Sequence, residues 1–136
     1  MAGYSGTPLA KKLGFKENFK VCTFNAPANY LELLAALPDD ITFYKKLQND
    51  LDMIHLFSTS KSEMHNVLKE SLAHIKKNGM IWVSWPKKSS KIPSEITEDT
   101  VREVALPLGL VDIKVCAVDE IWSGLKLVIR KENRIK

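Results

Sequence analysis

Glycine-rich loops, paired cysteines, long apolar runs and metal-ligand spacings are all missing from this chain of 136 residues, and each absence removes a class of protein. The six glycines never fall as GxGxxG or as GxxxxGK[ST], so the usual phosphate-cradling loop is not encoded. Two cysteines, Cys22 and Cys116, sit in separate apolar segments and form neither a disulfide framework nor a CxxC motif. They read as buried free thiols. No serine lies in a GxSxG turn. His65 and His74 fall on opposite sides of a helix at about 100° per residue, which excludes a shared metal site. Apolar stretches stop at about seven residues, too short for a span. The opening MAGYSGTPLAKK lacks the apolar core of an export signal, so no membrane partner and a cytoplasmic location are expected. Charge of one sign is also modest. Twenty Lys and Arg against 16 Asp and Glu, net +4, permit anionic partners without the dense basic stripe of a dedicated DNA binder.

What is present is a rhythm of strand-like runs, at 19–24, 41–44, 51–57 and 80–85, reached through helical patterns or short turns. Strands separated by helices pair in parallel, because a crossover is needed to return the chain to the same end of the sheet. Tyr30, Leu31, Leu33, Leu34 and Leu37 supply the first helical stripe, and Pro38 stops it. Ser60 with Glu63 reads as a capping box. The stripe Met64, Val67, Leu68, Leu72, Ile75 then carries a helix up to Asn78-Gly79. Thr97 caps a helix over Val101, Val104, Ala105 and Leu108, whose last turn Pro107 distorts. Runs at 110–118 and 125–129 are separated by six residues, too few for a crossover, so they form an antiparallel hairpin with Gly124 in its turn. The expected fold class is therefore α/β: a three-layer, Rossmann-like open sheet of four parallel strands plus the C-terminal hairpin, in the order 2-1-3-4-6-5. A single domain, 1–136, has an N-terminal arm at 1–18 around Tyr4 and a frayed tail at 131–136.

Ligands of such sheets bind at the carboxyl ends of the strands. The first of these ends, Phe24-Asn25-Ala26-Pro27, has no glycine to reach positive φ. Asn25 either offers its amide to a ligand or forms a turn. The fourth end opens into Trp85-Pro-Lys87-Lys88-Ser-Ser-Lys91, three lysines beside an aromatic ring and Ser84. Lys87, Lys88 and Lys91 can hold phosphate or carboxylate oxygens while Trp85 stacks on a ring, and Lys11 and Lys12 join them if the arm folds over this edge. The bland alternative is a solvated loop. Asp119-Glu120 makes an acidic hairpin tip that either pairs with the lysines or is an ordinary turn. No residue is singled out as catalytic or as a metal ligand.

Two resemblances follow from longer strings. From Asp52 onward, DMIHLF, IKKNGMIWVSW and VREVALPLGLVDIKVCAVDEIWSGLKLVIRK resemble the second half of a class I S-adenosylmethionine-dependent methyltransferase, over about sixty per cent of the chain. That family's cofactor half is not matched: no GxGxG follows the first strand, and the second strand ends in Tyr44-Lys45-Lys46 rather than an acidic residue. GYSGTPLAKKLG, WPKKSSKIPSEITEDTVRE and GLVDIKVCAVDEIWSGLKLVIRKENR resemble a family of small bacterial proteins, a domain of unknown function. This implies a bacterial, cytosolic origin and no particular reaction. The leading expectation is a non-enzymatic or regulatory module, without a cofactor, that binds an anionic small molecule or partner through the lysine loop. One alternative is a methyltransferase-like enzyme with S-adenosylmethionine in an atypical pocket around Asn25, Ser58 and Ser84. The other is a nucleic-acid or protein interaction module at the same edge.

Overall fold

In the computed structural model, which describes residues 8–134, one six-stranded sheet runs in the order β2-β1-β3-β4-β6-β5. Strands β1 (Lys20–Phe24), β2 (Thr42–Tyr44), β3 (Leu51–Phe57) and β4 (Ile75–Pro86) are mutually parallel. β5 (Leu110–Ala117) and β6 (Trp122–Ile129) form the antiparallel hairpin, and β6 joins β4. The architecture expected from the pattern of runs is the one found. Helices α1 (Leu9–Leu13) and α2 (Tyr30–Leu34) cover one face, α3 (Lys61–Ser71) and α4 (Glu98–Ala105) the other. The Tyr4 arm and the end of the tail lie outside the described residues.

The central strands read as continuous apolar runs because both of their faces are covered. Met53 and Phe57 of β3 and Trp82 of β4 pack beneath Leu9, Leu13 and Leu34. Ile54, Leu56, Ile81 and Val83 face Met64, Leu68, Val101 and Val104 on the other side. Trp82 also donates its indole N–H to the Leu13 carbonyl at 2.9 Å, which ties α1 to the sheet.

Three elements end elsewhere than expected. α2 is one turn long and stops at Ala35, whose φ of 58° leaves the helical region. α3 ends at Ser71, because the Leu51 N–H takes the His74 carbonyl at 2.9 Å and Ile75 pairs with Leu51 as the start of β4. Residues 76–79 then bulge opposite Asp52 alone, so Asn78-Gly79 lies within the strand. Gly124 is no turn residue either. It pairs with Ser84 inside β6, where an added Cβ would meet Ser84 Oγ and the Trp82 ring, each at 3.2 Å. As expected, the helix approaching Pro107 changes at Leu106 to a 3-10 turn.

Candidate functional site

The chain leaves β1 toward β2 on one side and later returns to β3 on the other, which makes the carboxyl ends of β1 and β3 the switch point of the sheet. Asn25 is the first residue beyond β1 and adopts φ 58°, the left-handed conformation that asparagine tolerates better than most non-glycine residues. The positive φ thought to require glycine is thus supplied by Asn25. Its amide donates to the Phe57 carbonyl at 3.0 Å and to Glu63 Oε1 at 3.3 Å. Ser58 Oγ donates to the same carboxylate oxygen, and Glu63 N–H donates to Ser60 Oγ at 3.2 Å. The expected capping box is only half made. Ser60 caps α3, while the Glu63 carboxylate turns to Ser58 and Asn25 and clasps the crevice between β1 and β3.

On the other side of β1 the carboxyl edge stays open. A cleft of about 350 Å³ is lined by Thr23, Phe24, Asn25, Ala26 and Lys45. Lys45 and Lys46 follow β2 directly and are exposed. A larger groove of about 500 Å³ lies between α3 and α4, lined by Lys61, Ser62, His65, Asn66, Glu95 and Val104. Glu95 Oε1 accepts the Lys61 N–H at 2.9 Å, and the Lys61 ammonium pairs with Glu103 at 3.3 Å. The cleft beside β1 lies at the switch point of the sheet, where ligands of open α/β sheets bind, and is the better ligand position on that ground.

The lysine loop does emerge at the carboxyl end of β4, as a 3-10 turn at Lys88–Ser90. Lys88 and Lys91 are exposed. Lys87 instead donates its ammonium to the Asp119 carbonyl at 2.7 Å and its backbone N–H to Ile121. The acidic tip likewise folds on itself: Asp119 Oδ1 accepts the N–H groups of Ile121 and Trp122 at 2.8 and 2.7 Å. Trp85 is no stacking platform. It points into the core with Ile96 and Val101, 8% exposed, because odd-numbered residues of β4 face α3 and α4. Lys12 reaches the Ala117 carbonyl at 3.5 Å, so its end of α1 lies over the hairpin rather than beside the cleft, and Lys11 is exposed.

Ser84 belongs to the interior. Its hydroxyl lies 2.8 Å from His55 Nε2, and on the other side of the ring the Tyr30 phenol OH lies 2.8 Å from His55 Nδ1. His55 and Ser84 are fully buried and Tyr30 nearly so. Burial pushes the imidazole down to about 3 and the Tyr30 phenol upward, so the ring is neutral and one hydroxyl donates to it while the other accepts. The histidine also stacks on Phe57 at 4.2 Å between centroids. This chain clamps α2 onto β3 and β4, and Gly124 leaves the room that Ser84 needs. Sequence reasoning missed it. A lone histidine in an otherwise apolar central strand was its one visible sign.

Among the described residues no group of three His, Cys, Asp or Glu is placed to hold a metal ion, and both cysteines are free, Cys22 pushed up to about 11 by burial. No helix among them is long and apolar enough to cross a membrane.

Sheet order and two-sided helical cover define a Rossmann-like fold of the class I methyltransferase type. A methyltransferase from Aquifex aeolicus described as S-adenosylmethionine-dependent superposes with a TM-score of 0.64 at 18% identity, over 88% of this chain and 87% of that one. Aeropyrum pernix fibrillarin, solved with natively bound S-adenosylmethionine, gives 0.58 at 11% over 88% and 73%. A TehB-like S-adenosylmethionine-dependent methyltransferase from Corynebacterium glutamicum gives 0.58 at 10% over 95% and 91%. These likenesses establish the fold. Residues 39–131 match the family described as "Protein of unknown function (DUF3052)", and the chain belongs to that family. No curated protein matches the sequence.

Proposed function

We propose that this protein is a binding module on a methyltransferase-type scaffold, which takes a small phosphate- or carboxylate-bearing molecule in the cleft between the carboxyl ends of β1 and β2. The observation that carries this reading is Lys45 in the cleft wall. At the corresponding end of a nucleotide-binding sheet a carboxylate accepts the ribose hydroxyls, whereas a cation there favours an anionic group. Phe24 and Ala26 supply the apolar wall. Lys88 and Lys91, three strand spacings or about 14 Å along the same edge, extend its positive charge toward a longer anion.

S-adenosylmethionine does not fit these groups well. It carries a sulfonium and an ammonium against one carboxylate, and its ribose diol needs an acceptor. Lys45 offers none, and Glu63 is already engaged by Ser58 and Asn25. The competing enzyme reading rests on the fold. Calorimetric titration separates the two: pyrophosphate is expected to bind, and to bind at least tenfold more weakly to Lys45→Gln. Stoichiometric micromolar uptake of S-adenosylmethionine or its demethylated product, with no response to pyrophosphate, overturns the proposal.

A further inference from the structure

A second basic surface lies away from the cleft, on the hairpin face beside α1. Lys114 and Lys126 are direct register partners across β5 and β6. Like charges placed opposite each other in a sheet repel. The Lys126 ammonium also lies over the end of α1, 4.0 Å from where a Cβ on Gly14 would stand, two residues before exposed Lys16. Three of the carbonyls at that helix end are already taken: Ala10 and Lys11 accept from Gly14, Ala10 also from Phe15, and Leu13 from Trp82. Burial first, then Lys114 and Lys16, pull the Lys126 ammonium below its ordinary value. Lys12 borders the group at Ala117. None of the ion pairs among the described residues involves Lys12, Lys16, Lys114 or Lys126.

We infer that Lys16, Lys114 and Lys126 form a docking surface for the phosphodiester backbone of a single-stranded nucleic acid. The floor is two paired strands whose backbone N–H groups are used in the ladder, so it offers point charges rather than a directional cradle. Such a surface suits a polymer whose charges repeat, in contrast to an isolated phosphate held by converging N–H donors. Val128 and Cys116 flank the lysines as half-buried apolar floor.

The test is fluorescence anisotropy with a labelled twelve-residue oligouridylate. Three phosphate contacts give a log–log salt slope of about −2, so affinity falls about twentyfold between 50 and 200 mM salt. Lys114→Gln/Lys126→Gln reduces that fall to about threefold and weakens binding at 50 mM, with thermal stability unchanged or raised because the repulsion is gone. Lys16→Gln, outside the sheet, shifts the slope the same way by about 0.7 and covers any folding defect of the double variant. Lys45→Gln binds the oligonucleotide like the wild type, which keeps this result independent of the cleft. Absence of binding at 50 mM salt, a double variant indistinguishable from the wild type, or binding of tripolyphosphate or anionic vesicles but not the oligonucleotide overturns the inference.

Discussion

Lowering the pH from 8 to 5 should cost this fold about 2 kcal/mol through His55 alone. Both ring nitrogens are hydrogen-bonded inside the core, and burial holds the imidazole at about 3. The unfolded chain, with an ordinary value of about 6.5, therefore takes up a proton first as pH falls. Stability from the neutral ring is complete above about 6.5 and is lost between about 6.5 and 3, at about 1.4 kcal/mol per pH unit. Urea unfolding of the wild type and His55→Leu at pH 8 and pH 5 isolates this contribution, since other titrating groups cancel in the difference. At pH 8 the variant is less stable by about 1–3 kcal/mol for each hydroxyl, of Tyr30 and Ser84, left without its partner. At pH 5 that gap should narrow by about 2 kcal/mol. A gap that stays constant within about 0.5 kcal/mol refutes a neutral, enclosed imidazole.

Asn25→Gly keeps the left-handed backbone and loses the bonds to Phe57 and Glu63, about 1 kcal/mol, whereas Asn25→Val adds strain of about 1–3 kcal/mol. Melting temperatures should fall in the order wild type, Gly, Val. Gly124→Ala crowds Ser84 and Trp82 and should destabilise by about 1–3 kcal/mol in urea unfolding; a neutral outcome contradicts the close approach. Lys87→Ala, which removes the bond to Asp119, should cost about 1 kcal/mol, while Lys88→Ala stays within about 0.5 kcal/mol by the same measurement.

The sheet was legible because its two signals are physical necessities. Helical segments between the first and second runs and between the third and fourth require parallel pairing, and the short link before Trp122 forbids a crossover. Element ends were harder to read. Leu72 and Ile75 satisfy a helical stripe as well as a strand, and only the pairing of Leu51 with Ile75 decides between them. Ala35 and Asn25 adopt positive φ, which propensity does not anticipate. At the candidate site the lysine loop was found at the expected edge, but facing depends on register, and register sends Trp85 and Ser84 into opposite halves of the core. Lys45 was visible as a departure from the methyltransferase pattern. Its role as a cleft wall needed the position of β2 beside β1.

The central claim is that the cleft beside Asn25 and Lys45 selects an anion, and amide chemical shifts of the nitrogen-15-labelled protein test it most directly. Titration with pyrophosphate should move the Asn25, Ala26 and Lys45 resonances saturably, and these shifts should vanish in Lys45→Gln. Saturable movement of the same resonances by S-adenosylmethionine, with none from pyrophosphate, would contradict the account.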